Sequence, residues 1–108
     1  MEICHFIKCG GFMASSKEYR DYVLEQLQGL EISYKAMMGE YLLYYNGILF
    51  GGIYDDRLLV KKVINNTKYN MEEAYPYDGA KAMYLVEEID NREELKQIVL
   101  DTCLGIEK

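Results

Sequence analysis

Tryptophan is absent from this 108-residue chain, and proline and histidine each occur once. Cysteine is nearly as scarce: of the three, Cys4 and Cys9 fall with His5 inside the first twelve residues. From Met13 onward there is no imidazole and a single thiol, Cys103. Histidine general-base chemistry, Ser–His and Cys–His pairs and His-based metal sites are thereby excluded from that stretch. One cysteine cannot form an internal disulfide, which fits a reducing cytoplasm. No apolar run approaches the roughly 20 residues that cross a bilayer. Cation clusters are missing as well. Twelve Lys and Arg stand against 18 Asp and Glu for a net charge of −6, and Lys61-Lys62 is the only adjacent basic pair. Without gathered cations to neutralise phosphates, autonomous nucleic-acid binding is not expected.

The opening segment, residues 1–12, has a composition unlike the rest and precedes Met13-Ala14-Ser15-Ser16, which reads like a bacterial start. Cys9-Gly10-Gly11-Phe12-Met13 can be encoded by TGC GGA GGT TTT ATG, which carries a GGAGG ribosome-binding sequence just upstream of the ATG. The expectation is a translated leader or disordered tail over 1–12 and a single domain over 13–108. A signal peptide fits poorly, because Glu2 comes first and Lys8 interrupts the apolar stretch. A metal site from Cys4, His5 and Cys9 lacks a fourth ligand and the usual close spacing.

What the chain does have is tyrosine, eleven in all, concentrated in a meander from Met37 to Lys61. Asn46-Gly47 sits between two apolar runs, the strongest short-range hairpin signal, because both central residues of a type I′ turn need φ > 0. Strands are expected over Ile32–Met38, Glu40–Tyr45, Ile48–Tyr54 and Arg57–Val63. Counting from the turn places Tyr45 opposite Ile48, Leu43 opposite Phe50 and Tyr41 opposite Gly52. Gly51-Gly52 reads as a bulge or a close helix-on-sheet contact, with a backbone opened for a ligand as the alternative. Asp55-Asp56 reads as a turn.

Around the meander, a helix is expected over Lys17–Leu27, capped by Ser15 with Glu18 and stopped by Gly29. Asn65-Asn66-Thr67 would cap a short helix reaching about Glu73, ended by Pro76, and Lys81–Glu87 would form a fifth strand. The last helix would start at the N-cap Asp90 with Glu93 as its capping-box partner and end at Gly105, with Cys103 as a small buried residue near its end. The order gives an α+β fold: an antiparallel sheet of about five strands flanked by N- and C-terminal helices.

That order, with Met37-Met38-Gly39-Glu40-Tyr41, Tyr44, Gly47, Phe50, the Asp55-Asp56 turn and Leu58–Lys61, resembles the N-terminal domain of the TfoX/Sxy family. Pro76-Tyr77, Met83 and Asp90-Asn91-Arg92-Glu93-Glu94-Leu95 continue the likeness, which spans Ser15 to Gly105; Met38 stands where the family more usually has Phe. The resemblance implies a secretion-chaperone-like α+β fold and a bacterial, cytoplasmic role in competence and transcription regulation, as a co-activator beside a separate DNA-binding protein. Full-length relatives carry a second, helical domain, so this chain reads as a stand-alone N-terminal domain. The family offers no catalytic residues.

The first functional expectation is therefore a non-enzymatic regulatory adaptor without cofactor or metal. Its partner would be a protein, a transcription factor or polymerase component, with homodimerisation through the sheet as a variant. Its candidate interaction surface comprises Met38, Gly39, Tyr41, Tyr44, Phe50, Gly51, Gly52 and Lys61. The alternative is a small-molecule-binding domain or an enzyme with a pocket near Gly51, Gly52, Tyr41 and Lys61, with Lys61 and Glu40 as its ionisable groups. A deep pocket holding a shifted Lys or Glu would favour the alternative, and a flat surface would oppose it.

Overall fold

The computed structural model of the chain describes residues 16–107. The leader, the Cys4–His5–Cys9 group and the Ser15 cap lie outside the described residues. Helix α1 (Lys17–Gln26) is followed by strands β1 (Ile32–Met37), β2 (Glu40–Tyr45), β3 (Ile48–Ile53) and β4 (Leu58–Val60). A 3-10 helix (Ile64–Tyr69), β5 (Glu72–Ala74), β6 (Met83–Val86) and α2 (Arg92–Glu107) complete the chain. All strand pairs are antiparallel in one six-stranded sheet of order β1-β2-β3-β4-β6-β5. The α+β architecture stands, with one strand more than the five expected.

Three two-residue turns build the meander. Met38-Gly39, Asn46-Gly47 and Asp55-Asp56 each have φ > 0 at both positions, the type I′ signature whose twist matches that of the flanking strands. The Asp55-Asp56 turn is closed by the paired bonds Tyr54 N to Arg57 O (2.9 Å) and Arg57 N to Tyr54 O (3.0 Å).

The β2–β3 register departs from simple counting. Tyr45 does face Ile48, but Tyr44 pairs Leu49, then Leu43 pairs Gly51, Leu42 pairs Gly52 and Tyr41 pairs Ile53. Phe50 is the extra residue of a β-bulge, and it turns into the core, where it is fully buried. The chain passes β4 so closely that a Cβ on Gly51 would stand 2.1 Å from the Leu59 carbonyl oxygen. The glycine pair is thus both a bulge and a close approach, though the neighbour is a strand rather than a helix.

Both helices cover one face of this sheet. Val23 of α1, its C-cap Leu27, and Leu95, Ile98, Val99 and Cys103 of α2 pack with Leu43, Phe50, Ile53, Leu58, Val60 and Val86. Polar groups buried at this seam are satisfied. Gln26 Nε2 donates to Ile89 O at 2.8 Å, and its Oε1 accepts from Arg92 Nε at 3.0 Å. Asn66, with no exposed surface, donates from Nδ2 to Lys61 O (2.9 Å) and Thr102 Oγ1 (2.8 Å) and accepts from Val63 N (3.2 Å).

That asparagine explains why β4 ends at Val60 rather than Val63: its amide takes the Lys61 and Val63 backbone groups that a longer strand would present. The helix expected through Glu73 is a 3-10 turn that stops at Asn70, in the left-handed conformation at φ 54°. Glu72–Ala74 then joins the sheet as a short, charged edge strand, the usual protection of an edge.

Helix ends also shift by a residue or more. Ser16 caps α1, accepting from Tyr19 N at 3.1 Å. Asn91 Oδ1 caps α2 through Glu94 N, while Asp90 accepts a hydrogen bond from the Tyr22 hydroxyl instead. Gly105 lies inside α2 rather than beyond it, because a Cβ there would meet Val63 at 2.6 Å. Among the described residues no helix is long and apolar enough to cross a membrane.

Candidate functional site

Strand alternation sends Leu42, Leu49, Tyr54, Leu59, Leu85 and Met83 away from the helices, onto the second face. Part of that face is closed by the loop of residues 75–82 between β5 and β6. Arg57 anchors the loop: its Nη2 donates to Tyr75 O at 3.0 Å while Nε donates to Tyr54 O at 3.1 Å. Pro76, within the loop, is buried, and Leu59 has no exposed surface.

Between loop and sheet lies an open cleft of about 700 Å3, lined by Leu49, Gly51 and Tyr54, by Pro76, Tyr77, Ala80, Ala82 and Met83, and by three lysines, Lys61, Lys62 and Lys81. Among the described residues no carboxylate lines it. Lys62 is held by Glu73 at 2.7 Å, and that contact, together with the Tyr84 ring, raises its pKa. Lys61 and Lys81 have no ion-pair partner among the described residues. Burial, with the nearby Glu40 carboxylate, pushes the Tyr54 phenol up to about 12, so it stays a neutral O–H at physiological pH.

A second exposed feature is the β1 edge. In an antiparallel pair closed by a two-residue turn, bonded and non-bonded positions alternate, and Glu31 O accepts from Asn46 N at 3.5 Å. The N–H groups of Tyr34 and Ala36 therefore point outward from the sheet. Tyr34, Met37 and Met38 are 42%, 46% and 89% exposed along this rim. Arg20 sits over the rings of Tyr34 (4.9 Å) and Tyr41 (5.1 Å), which themselves meet edge to face.

The residues expected to form one interaction surface are distributed over three places. Met38 and Gly39 are at the exposed β1–β2 turn, and Tyr44 is half-buried on the second face. Tyr41 and Phe50 belong to the helix-covered core, and Gly51 and Gly52 are buried. Gly51 and Lys61 alone of the set line the cleft. Glu40 has a raised pKa, from desolvation first and Asp55 second, yet it stands outside the cleft. The pocket and the shifted acid expected together are thus separate.

Sequence reasoning missed Tyr54, Lys81, Pro76, Tyr77 and Met83 as cleft residues. A signal was present: Leu42, Leu49, Leu59 and Leu85 make both faces of the sheet apolar, as happens when both are covered. Among the described residues no group of His, Cys, Asp or Glu gathers as a metal site. Cys103 is a buried free thiol whose pKa is raised to about 11, by burial first and then by Glu107, which leaves it unreactive.

Among the described residues, fold and surface define an α+β domain with a helix-covered face, a cleft on the opposite face and an exposed β1 edge. Compared with protein-family models, curated proteins and solved structures, the chain has no match.

Proposed function

We propose that this domain is a non-enzymatic regulatory adaptor that binds a protein through the β1 edge. The observation that carries the reading is the combination there of outward-pointing backbone groups with exposed Tyr34, Met37 and Met38. An extended partner segment adding as a further strand would gain main-chain hydrogen bonds from the edge and side-chain contacts from the rim. The opposite edge, β5, is three residues long and carries Glu72 and Glu73, so it is poorly suited to the same use.

The resemblance to the TfoX/Sxy N-terminal domain supports the choice of partner, a transcription factor or polymerase component in the bacterial cytoplasm. The secretion-chaperone-like description of the fold belongs to the same proposal. The net charge of −6 argues for a protein rather than nucleic acid.

Ala36→Pro tests the reading, because it removes an outward N–H without breaking a β1–β2 bond. Protein captured by tagged wild-type chain and lost with a folded Ala36→Pro variant supports the edge. Equal capture by both would refute it. Retention of a self-associated species only, abolished by the same proline, assigns the edge to a second copy.

A further inference from the structure

We propose that the cleft between the 75–82 loop and the second face of the sheet binds a small organic anion with an apolar body. The site is separate from the β1 edge, so its failure and that of the adaptor reading are distinguishable. Charge is the first argument. Acids outnumber bases in the chain, 18 to 12, yet among the described residues the cleft gathers Lys61, Lys62 and Lys81 and no carboxylate. Glu73 neutralises Lys62, which leaves Lys61 and Lys81 to pair with an incoming anionic head.

Shape and polarity give the second argument. Leu49, Pro76, Ala80, Ala82 and Met83 supply an apolar wall, and about 700 Å3 is within the usual range for small-ligand sites. The third argument is an unmatched donor. Tyr54 is 7% exposed, and its hydroxyl has no hydrogen-bond partner among the described residues. Buried phenols ordinarily find one, and this one lines the cleft. Two ammonium groups and a phenol O–H are all donors, complementary to a carboxylate, sulfonate or phosphate and unsuited to a cation. The smaller depression near Tyr69, Glu72, Glu87, Glu88 and Glu94 has the opposite polarity and offers no comparable donor set.

The probe is 8-anilinonaphthalene-1-sulfonate, an aromatic anion whose fluorescence reports an apolar site, titrated into the full chain with native near-UV circular dichroism verified. Saturable binding of one equivalent is expected, displaced by decanoate but not by decanol at equal concentration. The double variant K61Q/K81Q should weaken it by about tenfold or more, and Tyr54→Phe by several-fold. Lys17→Gln, remote on α1, should leave it unchanged. Displacement by decanoate and by phenyl phosphate alike would make the head group interchangeable, whereas displacement by one alone would fix it; both outcomes support an anion site. Absence of saturable binding, equal displacement by decanol, or undiminished binding to folded K61Q/K81Q would overturn the proposal.

Discussion

On the helix-covered face, Leu43, Phe50, Leu58, Val60, Leu95 and Val99 have no exposed surface, and the polar groups among them are bonded. Across the same strands, the second face is closed by an eight-residue loop, residues 75–82, held at its start by one arginine. Leu59 is as buried as anything under the helices, but the ground beside it is an open cleft whose Lys61, Lys81 and Tyr54 hydroxyl have no partner among the described residues. Two helices bring a continuous apolar stripe and satisfy their own backbone. A loop brings a few side chains and leaves space between them. Stability is accordingly concentrated on one face, and room for a ligand on the other.

The largest test of this contrast lies between the faces, at Gly51. Valine there would drive a side chain into the Leu59 carbonyl and Val60 Cα, both backbone atoms that cannot move aside. A loss of about 5 kcal/mol or more is expected, which reaches the lower end of the total stability of a domain this size, so Gly51→Val should be largely unfolded by circular dichroism. Gly47→Ala, at φ +81° with nothing nearby, should lose only about 1 kcal/mol. Equal losses at the two glycines would refute the close-approach argument.

Asn66→Ala should follow, at about 2–3 kcal/mol in denaturant unfolding, since it orphans the Lys61 carbonyl and the Val63 N–H at a fully buried site. A loss below about 0.5 kcal/mol would mean that the helix-covered face does not depend on its polar seam.

How much of this was legible in the sequence follows from the range of the forces involved. The Asn46-Gly47 and Asp55-Asp56 turns and both long helices announce themselves within a few residues, through backbone preference and apolar spacing. The bulge is signalled by Gly51-Gly52, but the register it imposes, with Phe50 as the extra residue, is not, because that is decided by which of Phe50 and Gly51 best fills a core contributed by distant helices. The same holds for Asn66, whose partners include Thr102, 36 positions away. Glu72 and Glu73 read as helix because nothing local reveals that β6 will lie beside them. The cleft was half visible: Gly51 and Lys61 were singled out, but the loop that closes it announces itself through the turn residues Pro76, Asp78 and Gly79, which say that the chain bends and not where it goes.

Arg57→Ala addresses the loop side alone. Losing its bonds to Tyr54 O and Tyr75 O should lower stability by about 1 kcal/mol. Amide exchange should accelerate over residues 75–82, with α1 and α2 unchanged. Acceleration spread evenly over the helices would mean that the two faces unfold as one unit.

Alkaline pH probes both faces at once. Burial first, and then neighbouring acids, raise both Tyr54 on the loop side and Tyr69 beside α2 from 10.0 to about 12; Tyr69 also donates to Asp101 at 2.6 Å. The unfolded chain ionises these phenols near pH 10 while the folded chain holds them neutral. Their stabilisation is therefore complete below pH 10 and disappears as pH rises from 10 towards 12. Tyrosinate absorbance should show Tyr54 and Tyr69 among the late-titrating phenols, with Tyr19, raised by burial and then by Asp56, beside them, and Tyr54→Phe should remove one late phenol. Tyr69→Phe should remove another and also relieve Asp101 of a partner that helps hold its carboxyl below the usual range against burial. All eleven tyrosines titrating together while the protein stays folded would contradict both placements.

The smallest expected effect falls at the rim where neither face extends. Of the three type I′ turns, two begin with Asn46 and Asp55, residue types that tolerate φ > 0, and one begins with Met38 at φ 51°. A methionine in the left-handed region, 89% exposed, gains no burial to offset its strain. Met38→Asn should therefore stabilise the domain by about 0.5–1 kcal/mol, raising the thermal midpoint by a few degrees. A local rule broken without structural compensation is expected where a side chain serves binding. If the β1 rim docks a partner, the same substitution should weaken that partner's affinity while improving the fold, a split that stability alone cannot produce. Stabilisation with unchanged affinity would confine the docking surface to Tyr34 and Met37; a destabilised Met38→Asn would show that the methionine packs against the domain itself.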